Sequence, residues 1–551
     1  MKIIKQNKMV IFLFLLTILK LILCSMLPNF YIETYDYDDK LMVDMTNSIS
    51  NGDWLGNYSD VTLVKGFFFP LLISLFRFLN ISSQLGLSLI YVIACFTFCF
   101  VTRDIFKNKN YCYILYIFLL LNPISFASET YQRMYRYVLG HSQVLFLISF
   151  LYGIYKNDKN ILLYLIGLGL ICTSIIFTRE DYMFMIVLLV ICYGFYIYKL
   201  KRKSYILLIP IIIIFIFEFI VININNNYYK ANLINELNNS NFKKAYTSIL
   251  KIKPDKEIYR VSIPKSTIEK LYEVSPTFKN LKSIFDKKYE NNIELEDGEI
   301  IDGYMIWIVR RIASLKNYYK DFNTSEEFWG RVDKEINNAF KEGKLKQRFI
   351  ISSVYFSPPT RTNIMKFIRN LPKTLKYIYT YDEVKTFDYN NLKESKNINL
   401  TESINEKTND FYYSIYINNI NSDFNTANIG SLSYKEIGGV FNIITFVYKY
   451  LSLFINLFGI VCFIKLFKKK DLFLNIVLFL GMIILICGIA YTDASSFKAI
   501  RYFYLAPVYI LLISFSLISI FMYLEEFYGT NDIISVFKRR GKHRKLYKKS
   551  I

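Results

Sequence analysis

Between Pro28 and Pro70 the chain reads PNFYIETYDYDDKLMVDMTNSISNGDWLGNYSDVTLVKGFFFP. This stretch carries the adjacent pair Asp38 and Asp39, further acids at Glu33, Asp36 and Asp44, and a single Lys65-Gly66 before an apolar run. Two neighbouring carboxylates raise the pKa of one of them, which suits a general base acting on a hydroxyl, or they hold a hard divalent cation. The same pair also fits plain capping of a helix that starts at KLMVDMTNSI. A second set is cationic. Arg133 and Arg136 lie in SETYQRMYRY (128–137), Arg179 stands beside Glu180 and Asp181 in TRED (178–181), and Arg501 opens IRYFYLAP (500–507). The planar guanidinium fork matches phosphate oxygens two at a time. The alternative for these cations is pairing with Glu129, Glu180 or Asp181, or snorkelling to lipid head groups.

The elements that must position these residues are apolar. The chain is 53% hydrophobic and 18% aromatic, yet its formal net charge is +22, so apolar and basic residues are segregated along it. That is the composition of a multi-pass membrane protein with basic cytoplasmic loops. Lys2, Lys5 and Lys8 precede an apolar run from Met9 to Leu27, which reads as a retained first transmembrane helix rather than a signal peptide. Further spans are expected near 86–102, 111–127, 138–155, 161–177, 182–199 and 205–223, then near 440–466, 472–491 and 502–523, each close to the roughly 20 residues that cross a bilayer core.

Loop charge decides the status of 67–80, which is short and contains Pro70 and Arg77. If it does not span, the basic loops 103–110, 156–160, 199–203 and 468–470, the tail 538–549 and both termini all fall on the cytoplasmic side, with about ten transmembrane helices. Segment 67–80 then lies as a juxtamembrane or re-entrant helix on the outer face. The same parity places the loop 28–85, the loops at 128–137 and 178–181, the interval 224–434 and the segment 492–501 outside. The expected organisation is a transmembrane module 1–223, a mainly helical extracytoplasmic domain 224–434 with a poorly ordered stretch at 385–432, C-terminal membrane helices in 435–525, and a basic cytoplasmic tail 526–551 that faces anionic lipid and not nucleic acid.

Other chemistries find no residues to carry them. All eight cysteines fall in apolar segments without a C-x-x-C pair, as buried small hydrophobes do. His141 and His543 are the only histidines, which argues against a His-based zinc site or a Ser-His-Asp triad. No glycine-rich phosphate loop or nucleotide fingerprint is present.

Together these features resemble the GT-C superfamily of membrane glycosyltransferases, such as protein O-mannosyltransferases and the aminoarabinose transferases of lipid A. The resemblance rests on Asp38-Asp39 soon after the first helix, on Lys65 to Pro70 where those relatives carry K-P-P or H-P-P, and on IRYFYLAP, similar to their final-helix R-Y-x-x-P. D-D-x-L, G-x-W-L-G-x-Y, T-L-x-K-G and T-R-E-D look still more like an uncharacterised family of bacterial membrane proteins. The superfamily implies an outward-facing site in the plasma membrane, a polyprenyl-phosphate sugar as donor, and a glycan, lipid or protein of the cell envelope as acceptor. It implies Asp38 or Asp39 as the base, Lys65, Arg133, Arg136, Arg179 and Arg501 around the donor phosphate, Glu180 and Asp181 in support, and no cofactor, with Mg²⁺ or Mn²⁺ as the alternative. Two readings of other classes compete: a transporter or flippase of a lipid-linked saccharide, which needs charged residues at membrane depth and broken helices, and an envelope scaffold.

Overall fold

The computed structural model describes residues 2–27, 29, 37–156, 160–179, 184–290, 295–296, 298–350, 357–386, 428–429, 432–467 and 471–528. The apolar runs form helices because a backbone in hydrocarbon must satisfy its N–H and C=O groups within its own segment. In order these are α1 (Lys2–Ser25), α2 (Asp39–Ser50), α3 (Phe68–Phe78), α4 (Ser83–Thr102), α5 (Asn110–Leu120), α6 (Tyr137–Lys156), α7 (Ile161–Thr178), α8 (Phe184–Leu200) and α9 (Leu208–Tyr229). The polar interval adds α10 (Glu236–Asn239), α11 (Asn241–Lys251), α12 (Lys265–Val274), α13 (Pro276–Lys279), α14 (Lys282–Glu290), α15 (Asp302–Leu315), α16 (Phe322–Lys341) and α17 (Arg361–Thr380). Three long helices close the chain: α18 (Tyr434–Leu466), α19 (Phe473–Ser495) and α20 (Ala506–Tyr528). The strands among the described residues are two antiparallel pairs of two residues each, Leu295–Glu296 with Glu299–Ile300 and Asn428–Ile429 with Leu432–Ser433.

Among the described residues, eight helices are long and apolar enough to cross a membrane, namely α1, α4, α6, α7, α9, α18, α19 and α20. The chain is therefore an all-α, polytopic membrane protein. One of the expected spans takes a different form. α8, with 17 residues, occupies the stretch expected at 182–199, but α5 has only 11, about 16 Å against a hydrocarbon core of about 30 Å. The helix expected over 111–127 breaks after α5, because Pro123 has no N–H to continue it and the Asn122 side chain accepts instead from the Ile124 N–H at 3.1 Å. A 3₁₀ turn at Pro123–Ser125 and a π turn at Ser128–Gln132 follow. The broken segment still covers the length of α4. Cys112 Sγ lies 3.9 Å from the Cys99 carbonyl near one end, and the Tyr131 hydroxyl lies 2.8 Å from the Gln84 carbonyl at the other.

α3, at 11 residues, is likewise too short to span. It packs on α2, with Ser74 donating to the Thr46 carbonyl at 3.0 Å and Arg77 to the Asn47 side chain at 2.8 Å. In the polar interval, aromatic anchors build a separate core from Leu237 to Leu345, centred on Phe242, Phe278, Phe328 and Trp329, and this core admits Val64 from the first loop. α15 and α16 are the longest helices of this core, ending at Leu315 and Lys341. α17 stands apart from this core and packs against α19. Of the expected linker at 385–432, residues 387–427 and 430–431 lie outside the described residues, as does the tail from residue 529.

Candidate active site

The first loop reaches its place through a close approach. A Cβ on Gly66 would come within 2.3 Å of the Phe177 carbonyl oxygen and 2.5 Å of that of Thr178, so only glycine lets the loop touch the C-terminal end of α7. Arg136 donates to the same Thr178 carbonyl at 3.0 Å. Lys65 is thereby drawn in, its side chain 5% exposed, to form an ion pair with Asp38. The loop is also clamped from the other side. Glu236 N–H donates to the Leu63 carbonyl at 2.8 Å, Tyr58 donates to Glu236 at 2.7 Å, and the fully buried Arg310 donates to the Asp60 carbonyl at 2.7 Å and to Glu236 at 2.8 Å. Trp54 donates to Asn225 of α9 at 2.8 Å.

Asp38 sits at the mouth of the cluster with its side chain 39% exposed. Tyr135 donates to its Oδ1 at 2.8 Å and accepts from Lys65 Nζ at 3.2 Å and from Arg136 Nε at 3.3 Å. Burial pushes the Asp38 carboxyl up, but Lys65, Arg133 and the hydrogen bonds from Lys65 and Tyr135 outweigh it and hold the group well below the usual carboxylate range. Burial pushes the Tyr135 phenol up, and the Asp38 charge adds to that, so it remains a hydroxyl donor.

Asp39 faces the other way. As the first residue of α2 it is completely buried, and Arg133 Nε lies 3.0 and 2.9 Å from its two carboxylate oxygens. Arg133 Nη1 donates to Glu129 at 2.7 Å. The adjacent carboxylates thus point at separate cations, and among the described residues no group of three His, Cys, Asp or Glu gathers to hold a metal ion.

Arg179 is buried, with its guanidinium 4.7 Å from the Tyr137 ring and 5.5 Å from that of Tyr504. Arg501 is placed elsewhere, in a half-exposed ion pair with Glu383, whose second oxygen accepts from Tyr377 at 2.7 Å. Glu180 and Asp181 lie outside the described residues. The structure therefore brings together Asp38, Lys65, Arg136 and Arg179, sets Asp39 and Arg133 behind them as a buried pair, and leaves Arg501 out.

Aromatic residues that sequence reasoning passed over complete the surroundings. Tyr135 and Tyr137 alternate with the arginines in RMYRY, a signal that was readable. Trp307 of α15 carried none, yet its ring lies 5.2 Å from Lys65 Nζ and 5.4 Å from that of Tyr37, whose hydroxyl accepts from Arg311 at 3.0 Å.

A second polar locus lies inside the bundle. Lys20 of α1 is buried, donates to Ser125 on the broken segment at 2.7 Å, and stands 4.3 Å above the Tyr91 ring. His141 of α6 packs edge-on against the same ring.

Compared with protein-family models, with curated proteins and with solved structures, the chain matches none.

Proposed function

We propose that this chain is a membrane glycosyltransferase of the GT-C kind, moving a sugar from a polyprenyl-phosphate donor to an acceptor at the bundle end that holds the Asp38 cluster. The observation that carries the reading is the split between the two aspartates: one is sealed in a buried ion pair, while the other faces solvent beside buried cations. A carboxylate held that far below its usual range is a weak base until a competing anion draws Lys65 away. The donor phosphate is that anion, with Arg136 and Arg179 as its further neighbours. In the proposed reaction it takes over the Lys65 ammonium, and the pKa of Asp38 rises. Asp38 then accepts the proton of the acceptor hydroxyl as the hydroxyl oxygen bonds to the anomeric carbon. The carbon–oxygen bond to phosphate breaks with inversion, and polyprenyl phosphate leaves with the electron pair. Arg133 serves by orienting Asp39 and the start of α2, which holds Asp38 in register.

The test compares Asp38→Asn with Asp39→Asn in a strain otherwise lacking the chain, after membrane insertion has been checked. Mass spectrometry of envelope glycans reads which sugar disappears with the chain and which variant restores it. Asp38→Asn is expected to lower transfer by about 10²-fold or more. Full restoration by Asp38→Asn would remove the base from the mechanism.

A second reading is favoured by one specific observation. The break after α5 and the buried Lys20 that bonds to it are the features a transporter or flippase of lipid-linked saccharide requires. Transbilayer movement of a labelled polyprenyl-phosphate sugar in proteoliposomes, without release of polyprenyl phosphate, would favour it over transfer.

A further inference from the structure

α17 reverses the pattern of a helix on a water-soluble surface. Toward the protein it turns polar residues: Asn363, Asn370 and Thr374 are buried, along with Ile378 near its end. Asn370 donates to Asp493 at the end of α19 at 3.0 Å. Outward it presents Ile364, Met365, Ile368 and Leu375, which are 44–59% exposed. At about 100° per residue, Ile364, Ile368 and Leu375 fall on one stripe, and Lys366, Arg369, Lys373 and Lys376 fall on a second stripe roughly 140° around the helix from it, all four exposed. The helix contains no acidic residue. Its basic residues run its whole length, so it cannot cross a membrane, and its exposed apolar stripe does not suit water.

Its attachments place it at the edge of the bundle. Tyr381, just past its C-terminus, packs in the bundle core with ring centroids 5.9 Å from Tyr448 and 4.8 Å from Tyr509. Phe367 meets Tyr491 near the end of α19, and Lys366 lies 5.0 Å from the Tyr259 ring of the polar domain. These contacts seat the helix at the C-terminal end of α19, beside the polar domain. A lengthwise apolar stripe with a lengthwise basic stripe on another face is the arrangement of a helix lying in the plane of a membrane interface.

We propose that α17 is an interfacial helix seated on anionic phospholipid. Ile364, Ile368 and Leu375 enter the acyl region, and Lys366, Arg369, Lys373 and Lys376 meet the head-group phosphates, in the leaflet at the C-terminal end of α19. The charge complementarity selects anionic over zwitterionic lipid. This holds whichever reaction the Asp38 cluster performs.

The experiment uses the full chain in nanodiscs. The described native cysteines are all buried or partly buried, so an environment-sensitive fluorophore is directed to Ile368→Cys, Leu375→Cys or Lys373→Cys, with the unsubstituted chain as background. Labels at 368 and 375 are expected to be quenched by acyl-brominated lipid and shielded from aqueous iodide, and the label at 373 the reverse. Brominated phosphatidylglycerol at a small mole fraction is expected to quench severalfold more than the same fraction of brominated phosphatidylcholine. That preference should vanish when Lys366, Arg369, Lys373 and Lys376 are all changed to Gln. Iodide access at 368 and 375 equal to that at 373, or shielding from both quenchers as under a protein partner, would overturn the seating. Equal quenching by the two brominated lipids in the chain with its basic stripe intact would overturn the anionic preference. Because each label is a single surface change, the test does not depend on the fourfold variant folding.

Discussion

Replacing Asp39 by Asn is expected to damage the fold before it damages any chemistry. Asp39 is fully buried and receives Arg133 through both carboxylate oxygens, and Arg133 is itself only 7% exposed. Burial disfavours the Arg133 charge, but Asp39 and Glu129 more than compensate and raise its pKa well above the ordinary value, so it cannot escape by losing its proton. Asn at position 39 therefore takes from a buried cation its principal carboxylate, and Glu129, whose side chain is 27% exposed, stays in contact with it. Breaking a buried pair costs about 3–5 kcal/mol, and the surviving Glu129 contact sets the expectation near 3, on the order of a hundredfold in the folded-to-unfolded ratio. The double change Asp39→Leu with Arg133→Met removes both charges and leaves Glu129 near water, so it should recover most of that loss. The assay is denaturant unfolding of purified chain in detergent, read by tryptophan fluorescence, for the wild type, both single variants and the double variant. If Asp39→Asn unfolds with the wild type, or the double variant is less stable than either single one, the pair does not hold the start of α2.

Asp38→Asn should remove activity and cost less stability than Asp39→Asn, since this side chain is partly exposed at the mouth of the cluster, although the change takes from the buried Lys65 its carboxylate partner. The Asp38 pKa is depressed in the folded state, so its contribution to loop docking is complete above the unfolded carboxylate value, near 4. It is lost only as pH falls further, through the folded pKa. Protease susceptibility of the first loop should thus stay flat from pH 7 to about 4 and rise below, and Asp38→Asn should abolish that rise. Lys65→Gln should weaken donor binding and release Asp38 toward its ordinary range, moving the acid limb of the pH–rate profile to higher pH; an unmoved limb would separate Lys65 from the base. Gly66→Ala forces a Cβ into backbone carbonyls, and it should disorder the loop, seen as rapid hydrogen exchange around 60–66, with little change in α4 or α6. Arg501→Gln should alter transfer by no more than a few-fold, because an exposed ion pair contributes at most about 1 kcal/mol; a loss comparable to that of Asp38→Asn would return Arg501 to the phosphate site.

The sequence by itself determined the class of the molecule. Apolar runs near 20 residues separated by short basic loops leave the backbone no option but helices, and loop charge alone kept 67–80 from being counted as a span. Of the residues it singled out, Lys65, Arg133, Arg136 and Arg179 lie close to Asp38 or Asp39 although the chain separates them by up to about 140 residues. Pro123 announced a break, but hydropathy averages over a window and smoothed the short α5 and its irregular continuation into one span. What only the tertiary structure decided is which charges neutralise one another. Asp38 and Asp39 are indistinguishable as neighbours in the chain. They diverge because Asp39 enters α2 and turns into the bundle toward Arg133, while Asp38 stays outside the helix and meets Lys65, delivered by the contact at Gly66. Trp307 was invisible for the same reason: its nearness to Lys65 comes from how the domain docks, through Arg310 and Glu236 on Asp60 and Tyr58. Composition and periodicity record the solvent each segment must face. Partners across the chain are set by packing, which no local pattern encodes.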